Sequence, residues 1–438
     1  MIYLKLVFLV FFLIKSLDLV YLFQVKEYRL DRIKSMFNDE NFWYIFYGRA
    51  IRLPAKSIRN FLIILLNVSL ILFIQTLIIG LSVWVWIMMI LSCPFLAFMS
   101  TVFGVEVTRI LAWWQRRRSI KQAEFMIGKS KAIFIGITGS YGKTTTKEYL
   151  YQILSTKYKV AKTDANKNTD VGVALSVIKN LKHDTNFFIV EIGAYKRGEI
   201  KKVCNFIRPH YAIVTAIGNQ HLDLFGSKEN LIKAKKELLE SLPQLGIAYI
   251  NENIKEKKPL TENIQCQIKI YPASNNYLDA NLTPCVFLAK DLGLKDVEIE
   301  KTIAKIKSST HRLTLAKGKN SCGIINDSAN VNVAGLLMVI ASAKNHSYSK
   351  KYLMTRGIIE LGKEKIISYQ EILEKMDQTD FRLVTTDKLF KKLDRREKVI
   401  YFSHEKKLVE YLCQVLDKDT LLVIEGRFHP KTIQQLIK

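Results

Sequence analysis

The stretch Lys131–Leu154, KAIFIGITGSYGKTTTKEYLYQIL, decides the fold of this chain. Lys131–Ile137 is apolar and rich in β-branched residues, which predicts a buried strand. Gly139–Gly142 predicts a tight loop, and the residues from Thr144 onward predict a helix. A strand, a glycine loop, a Lys-Thr pair and a helix in this order form the arrangement that cradles nucleotide phosphates.

Each part of this motif has a chemical reason. Glycines let backbone N–H groups approach phosphate oxygens, and the helix N-terminus adds positive potential. Lys143 is expected to neutralise the β- and γ-phosphates and Thr144 to ligate Mg²⁺, while Thr145 and Glu148 have capping-box spacing. Ile137 stands where the full Walker pattern has glycine, so a chance glycine-rich turn is the alternative. The flanking strand and helix argue against that alternative.

The composition sets outer bounds on function. With 438 residues the chain is long enough for two or three domains. Its formal net charge of +26 suggests an anionic membrane, a polyanionic substrate or many solvated lysines. Nucleic acid is not expected, because there is neither zinc-finger spacing nor an aromatic-basic stripe. The 6 cysteines form no CxxC pair, which fits a reducing cytosol better than a zinc site or a disulfide framework.

Three apolar runs occupy the first quarter of the chain: Ile2–Phe23, Phe61–Gly80 and Leu81–Val105. A helix needs about 20 apolar residues to cross a bilayer core. The second run carries no charge, and the third is interrupted only by Pro94, which membrane helices tolerate. These two runs predict a helical hairpin with a tight turn near Gly80.

The first run is less clear, because Lys5, Lys15 and Asp18 interrupt it. A signal peptide or a helix lying in the membrane interface is the alternative. The run lacks a small-residue cleavage site, and the charged segment KEYRLDRIK follows it directly. We therefore expect a third spanning helix.

The flanking charges predict the orientation, because cytoplasmic loops carry an excess of lysine and arginine. Arg116–Arg118 follow the third run, and Trp113 and Trp114 stand where an interfacial aromatic belt is expected. The turn near Gly80 is then outside, and everything after Trp114 is cytoplasmic. The basic residues between the first and second runs are Lys26, Arg29, Arg32, Lys34, Arg49, Arg52, Lys56 and Arg59.

The segment TGSYGKTTT (Thr138–Thr146) resembles the Mur ligases, which join amino acids or peptides to cell-wall precursors at the expense of ATP. The resemblance continues to Lys438 and is greatest to the branch that adds D-alanyl-D-alanine. The matching segments are Thr163–Ile178, Phe187–Ile200, Ala212–Pro243, Ala248–Asn253, His311–Leu313, Ile325–Asn332 and Gly357–Gly362. Two features depart from the family: a membrane segment replaces the usual N-terminal domain for the UDP-sugar precursor, and INDSANVN lacks the branch's usual aromatic residue and proline.

Two of these segments also have a physical interpretation. FFIVEIGA predicts a buried strand that ends at Glu191, and a carboxylate there points into the ligand crevice of a parallel sheet. A buried structural carboxylate is the alternative. AIVTAIGNQHLD predicts another strand that ends near His221. The resemblance implies that Glu191 and His221 lie around magnesium, although an isolated histidine is more often structural.

The resemblance assigns functions to residues that would otherwise attract no attention. Lys235, in the predicted helix KENLIKAKKELLESL, matches a lysine that becomes carbamylated and so offers oxygen ligands to a hard metal. Without the resemblance it would be one of many solvated lysines. Asn251 matches a nucleotide-contacting asparagine. Arg312 and Asp327 resemble the C-terminal residues that close on ATP, with the aspartate near the ribose.

The expected site is therefore defined by residue. The expected catalytic residues are Lys143, Lys235 and His221, and the expected metal ligands are Thr144, Glu191, His221 and carbamylated Lys235. The substrate side is expected to include Asn166, Asn168 and Thr169. The expected ATP contacts are Thr138, Gly139, Ser140, Tyr141, Gly142, Lys143, Thr144, Thr145, Asn251, Arg312 and Asp327.

The predicted architecture is a membrane segment (1–118), a P-loop α/β central domain (119–310) and a smaller Rossmann-like α/β C-terminal domain (311–438). The last is predicted from strand-like runs that alternate with helical stretches: CGIIN, KYLMTR, FRLVTT, KVIYF and TLLVIEG. ATP is expected to bind between the two α/β domains.

The resemblance implies an ATP- and Mg²⁺-dependent amide ligase that acts through an acyl phosphate. Its partners would be a UDP- or lipid-linked muramyl peptide, D-alanyl-D-alanine as the amine, and the cell membrane, with the catalytic domains in the cytoplasm. Three alternatives stay open: a poly-γ-glutamate-type ligase, a non-catalytic nucleotide-binding scaffold, and a transport or signalling ATPase. The last is disfavoured because we identify neither an arginine finger nor a second Walker segment.

Overall fold

The computed structural model describes residues 2–39, 46–47, 51–77, 82–165, 167–218, 222–274, 277–309, 315–327, 333–343, 346–358, 361, 364–426 and 428–437. The chain divides into two compact units, Met1–Lys121 and Gln122–Lys438. The domain boundaries predicted near residues 118 and 310 remain predictions.

The first unit is helical, and three of its helices are long and apolar enough to cross a membrane. They correspond to the three predicted apolar runs, with bounds that differ by up to three residues. The predicted turn near Gly80 lies outside the described residues. The helices are α1 (Ile2–Val25), α2 (Leu30–Asp39), α3 (Ile58–Leu77), α4 (Val83–Val107) and α5 (Arg109–Gly128).

The charges that interrupt the first apolar run are turned inward. Lys15 and Asp18 are both buried within the unit, and a carboxylate oxygen of Asp18 accepts a hydrogen bond from the backbone N–H of Arg52 at 3.3 Å. The ammonium of Lys5 lies 5.4 Å from the ring centroid of Trp86. Charged side chains in apolar helices usually face the interior of a bundle in this way, since hydrocarbon cannot solvate them.

A small polar cluster joins α3 to α4. The Asn67 amide donates to Thr101 Oγ1 at 3.0 Å and accepts from Ser100 Oγ at 2.7 Å. All three side chains are buried. Buried polar groups need hydrogen-bond partners, and here each finds its partner across the two helices, so this cluster fixes the register of α3 and α4.

A six-stranded, all-parallel sheet forms the centre of the second unit's first half, in the order β2-β3-β1-β4-β5-β6. Its strands are β1 (Ile133–Thr138), β2 (Val160–Lys162), β3 (Phe187–Glu191), β4 (Tyr211–Val214), β5 (Ile247–Asn251) and β6 (Gln267–Tyr271). The accompanying helices are α6 (Lys143–Leu154), α7 (Asp170–Asn180), α8 (Glu199–Ile207), α9 (Leu222–Phe225), α10 (Lys228–Glu240), α11 (Lys257–Thr261), α12 (Tyr277–Asp291) and α13 (Asp296–Ser309).

Strand β1 is central because its residues are apolar on both faces. Ile135 and Ile137 pack with Leu150 and Ile153 of α6 in one hydrophobic core. Buried parallel strands need such continuous apolar runs, since helices cover both faces of the sheet. The chain therefore places β1 between β3 and β4, where the carboxyl ends of the three strands lie side by side.

A second sheet follows in the order β11-β10-β9-β12-β8-β7, parallel except for β7. All five predicted C-terminal strands are present, so the α/β fold class predicted for this region is confirmed. The strands are β7 (Leu315–Lys317), β8 (Gly323–Asp327), β9 (Lys350–Thr355), β10 (Phe381–Thr385), β11 (Val399–Tyr401) and β12 (Thr420–Glu425). The helices are α14 (Val333–Ala343), α15 (Lys365–Asp377), α16 (Lys388–Leu393), α17 (Glu405–Val415) and α18 (Pro430–Ile437).

Two local predictions were wrong. The capping box at Thr145 does not start a helix, because α6 already begins at Lys143 with Gly142 as its N-cap in a left-handed conformation. Strand β4 ends at Val214 rather than near His221. The chain leaves the sheet early there, because the carbonyl of Ala216 turns to accept the backbone N–H of Ser140 at 2.9 Å.

We predict that Asn67→Ala destabilises the protein in detergent by about 1–2 kcal/mol, because two buried hydroxyls lose their shared partner. Thermal unfolding measures the loss. Thr76→Ala is the matched control, because Thr76 is on the same helix but is exposed and donates to the carbonyl of Phe73 in its own helix. Equal stability of the two variants would contradict the proposed function of the cluster.

Candidate nucleotide and metal site

The loop between β1 and α6 has two positions that only glycine can occupy. Gly139 and Gly142 have φ of +152° and +82°. A Cβ at Gly139 would overlap the hydroxyl of Thr215, and one at Gly142 would overlap the side-chain oxygen of Asn281. The loop therefore packs closely against Thr215 and Asn281, and the predicted contact of its backbone with phosphate oxygens stays a prediction.

Neighbouring strand ends hold this loop in place. Thr138 donates its hydroxyl to the carbonyl of Ile192 at 3.0 Å, just beyond β3. Ser140 Oγ lies 3.1 Å from the carbonyl oxygen and 3.0 Å from the backbone nitrogen of Gly218, beyond β4. Burial raises the pKa of Tyr141, which lies against Gly218, and the charge of Glu256 raises it further. The loop is thus anchored to both strands that flank β1.

Lys143, the first residue of α6, turns back over the loop. Its ammonium donates to the carbonyl of Gly139 at 2.7 Å and approaches that of Ser140 at 3.4 Å. Burial lowers the pKa of Lys143, and the nearby carboxylate of Glu191 opposes the shift. Lys143, the cation that is predicted to neutralise phosphate charge, therefore lies at the loop. Thr145, two residues further along α6, is buried.

Glu191 is the last residue of β3 and is only 3% exposed. Its Oε1 accepts from the hydroxyl of Thr144 at 3.0 Å and from the amide of Asn168 at 3.3 Å. Its Oε2 accepts from the ammonium of Lys147 at 3.1 Å. A hydroxyl and a carboxylate at the mouth of a phosphate loop are oxygen donors of the kind that Mg²⁺ prefers, with phosphates and water completing its shell. The residues present fit that ion.

Two of the three residues predicted on the substrate side are described. Asn168 contacts Glu191, and its carbonyl accepts from the backbone N–H of Gly193 at 2.9 Å. Thr169 is the N-cap of α7, where its hydroxyl accepts from Gly172 at 3.3 Å. The third, Asn166, lies outside the described residues.

Lys235 is 3% exposed, so it is not the solvated helix lysine that the sequence alone suggested. Burial, together with the positive charge of Lys143, lowers the pKa of Lys235 to about 7, against the opposing charges of Glu199 and Glu237. The Glu237 carboxylate is itself engaged by the backbone N–H groups of Gly198 and Lys201, at 2.6 and 2.9 Å. A buried lysine with a large neutral fraction near pH 7 is chemically suited to react with CO₂.

Asn251 ends β5 at the same edge of the sheet as the phosphate loop. Its side-chain oxygen accepts from the backbone N–H of Asn253 at 2.8 Å, which closes the turn after the strand.

His221 and Arg312 lie outside the described residues, and of Asp327 only its place at the end of β8 is described. Within the described ranges, no group of three or more His, Cys, Asp or Glu side chains could hold a metal.

Two residues at the site were not predicted from the sequence: Lys147, which pairs with Glu191, and Asn281, whose side chain accepts from the hydroxyl of Thr146 at 3.2 Å. Helical spacing could have found Lys147, since it lies four residues after Lys143 and three after Thr144, on the same face of α6. No local signal identified Asn281, because α12 is more than 130 residues further along the chain.

Comparison with known proteins supports the resemblance. The family described as Mur ligase middle domain matches residues 137–315. A UDP-N-acetylmuramoyl-tripeptide--D-alanyl-D-alanine ligase of Bacillus subtilis is 28% identical over 264 residues, 52% of this chain and 56% of that protein. The ligase of the same name from Borreliella burgdorferi is 26% identical over 351 residues, 69% and 74% of the two chains. The matched region thus covers little more than half of the Bacillus protein.

Solved structures share the fold. MurF from Acinetobacter baumannii has a TM-score of 0.64 at 21% identity, covering 71% of this chain and 77% of its own. MurF from Thermotoga maritima, solved in complex with ADP, has a TM-score of 0.62 at 20% identity, covering 71% and 80%. The predicted resemblance is therefore confirmed, and residues 137–315 are similar to the Mur ligase middle domain.

Proposed function

We propose that this protein is an ATP-dependent ligase that joins D-alanyl-D-alanine to a UDP-linked muramyl tripeptide in cell-wall synthesis. The observation that carries the proposal is the meeting of Lys143, Thr144 and Glu191 at one edge of a parallel sheet, within a Mur ligase middle domain. The names of the relatives supply the acceptor and the amine.

The proposed reaction has two steps. A carboxylate oxygen of the acceptor attacks the γ-phosphorus of ATP, which forms an acyl phosphate and releases ADP. The dipeptide amine then attacks the acyl carbon, and phosphate leaves as the amide bond forms and the amine loses a proton. The chain contributes positioning and charge neutralisation rather than covalent chemistry.

The described residues are proposed to have separate roles in this reaction. The backbone of Gly139–Gly142 and the N-terminus of α6 cradle the phosphates, while Lys143 balances charge on the transferred group. Thr144 and Glu191 would hold Mg²⁺, which neutralises phosphate charge. Further nucleotide contacts are proposed for Asn251, Arg312 and Asp327, and a further metal ligand for His221.

Lys235 is proposed to act as a carbamate. Its neutral amine adds to CO₂, forming an N–C bond and releasing one proton, so that a cation becomes an oxygen donor. The burial of Lys235 and its pKa near 7 support this step, because they keep a large share of the amine neutral at physiological pH.

The apolar helices support a location at the cell membrane, with the second unit in the cytoplasm. On α5, the guanidinium groups of Arg117 and Arg118 lie 5.3 and 5.7 Å from the ring centroids of Trp113 and Trp114. Both tryptophans are about half exposed. An aromatic and arginine segment directly after an apolar helix is typical of a cytoplasmic membrane interface.

An ATP-consumption assay on the detergent-solubilised protein tests the function. We expect phosphate release that requires both UDP-linked muramyl tripeptide and D-alanyl-D-alanine. A lipid-linked tripeptide forms a second arm, and glutamate tests the polymer-ligase alternative. Phosphate release with no acceptor preference, or none with any acceptor, would overturn the proposal in favour of an ATPase or a scaffold. Neither the family match nor the relatives named above support those alternatives.

We predict that Lys143→Ala lowers turnover on the order of 100- to 1000-fold, because a charge aimed at the transferred phosphoryl group is lost. Lys159→Ala is the control, since Lys159 is exposed and pairs with the exposed Asp184. Steady-state turnover and circular dichroism are measured on both. Normal turnover of a folded Lys143→Ala protein would refute the function of this lysine.

We predict that Lys235→Ala loses most activity while ATP still binds, and that formate or acetate partly restores turnover by supplying the missing oxygens. Lys233→Ala is the control, because Lys233 is exposed on the same helix and surface changes usually stay within about 0.5 kcal/mol. Uptake of ¹³C-bicarbonate by the wild type should rise as the pH increases through about 7, because only the neutral amine reacts. Full activity of Lys235→Ala without an additive would end the carbamate hypothesis.

We predict a topology in which the turn near Gly80 is outside and Arg116–Arg118 are inside. Single cysteines introduced at position 80 and at position 117 are labelled in intact cells with a membrane-impermeant maleimide. Position 80 should react before lysis and position 117 only after it. Protection of position 80 from the external reagent would exclude the three-span arrangement.

A further inference from the structure

Lys147 is a buried cation that the proposed mechanism does not use. It lies in the second turn of α6, and its side chain is 0% exposed. Its ammonium lies 3.1 Å from Oε2 of Glu191, whose side chain is 4% exposed. Removing one partner of such a pair leaves an uncompensated charge in the interior, so each of the two residues depends on the other.

The contacts around Glu191 separate the two oxygens of its carboxylate. Oε2 is held by Lys147, whereas Oε1 is turned to the hydroxyl of Thr144 at 3.0 Å and the amide of Asn168 at 3.3 Å. The backbone N–H of Glu191 is also fixed, donating to Thr163 Oγ1 at 3.1 Å. Of the two oxygens, Oε1 is therefore the one that contacts the hydroxyl of Thr144.

Lys147 also interacts with the carboxylate of the next residue, Glu148. Its ammonium lies 3.8 Å from Oε1 of Glu148, and the other oxygen of Glu148 pairs with Lys162 of β2. The charges alternate in the order Glu191, Lys147, Glu148, Lys162, from the buried site to a side chain that is 27% exposed. Glu148 thus helps to balance the positive charge of Lys147, while the shorter contact of Lys147 is the one with Glu191.

We propose that Lys147 is a positioning residue for divalent-cation binding, which keeps the Oε1 of Glu191 directed at the position shared with Thr144. The inference rests on the proposed function, because it gives the Mg²⁺-nucleotide site a second layer of support. Groups that orient a metal ligand without touching the metal commonly change metal affinity by about 10- to 100-fold when they are removed.

The test measures the Mg²⁺ concentration that gives half of the Mg²⁺-dependent tightening of ADP binding, by calorimetry on the full chain in detergent. Lys147→Met should raise this concentration by about 10- to 100-fold, while ADP binding without Mg²⁺ stays near the wild-type value. Lys147→Gln, which keeps a hydrogen-bond donor but no charge, should give a smaller rise. Lys162→Met is the control. It removes the last charge of the alternating series and leaves the contact between Lys147 and Glu191 in place.

The possible results separate the inference from the proposed function. An unchanged or lower Mg²⁺ requirement in folded Lys147→Met would overturn the inference, since Lys147 would then be only structural or would compete with the metal. If Lys147→Met does not fold, Lys147→Gln decides by the same criterion. A wild-type protein without Mg²⁺-dependent ADP binding would overturn the proposed function and the inference with it.

Discussion

Parallel pairing of β1 with both β3 and β4 is the constraint on which the candidate site depends. In the first sheet the phosphate loop follows β1, Glu191 ends β3, and the contacts of Thr215 and Gly218 follow β4. Because all three strands run the same way, their carboxyl ends meet at one edge, where the strand order also reverses direction. Any antiparallel placement would send one of these groups to the opposite end of the sheet.

The same constraint concentrates charge. Lys143, Lys147 and Lys235 are all wholly or partly buried, and Glu191 is the carboxylate that interacts with two of them. Buried cations thus lie close to carboxylates in a region of low dielectric, with Glu148 and Glu191 beside Lys147 and with Glu199 and Glu237 near Lys235. A bound polyphosphate would add negative charge to this balance, so the stability of this region and its affinity for phosphate are physically linked.

The sequence predicted the elements well because local patterns specify them. Apolar runs gave α1, α3 and α4, and the β-branched stretches gave β1, β3 and the C-terminal strands. The predicted bounds were wrong where tertiary contacts determine them. Helix α6 begins directly after Gly142, whose left-handed conformation closes the loop. Strand β4 ends at Val214 because the carbonyl of Ala216 accepts a hydrogen bond from Ser140. The pairing of Lys147 with Glu191 spans 44 residues, a separation that local periodicity cannot encode.

These long separations have a consequence for how the chain folds. The bonds that shape the phosphate loop, from Ser140 to Gly218 and from Thr138 to Ile192, join residues 78 and 54 positions apart. Closing such loops costs entropy before any contact offsets it, and sheets built from non-local parallel pairs fold slowly. During synthesis β1 must wait exposed until β3 and β4 leave the ribosome. The apolar segment at the centre of the candidate site is therefore also a segment that is exposed to aggregation while the protein is being made.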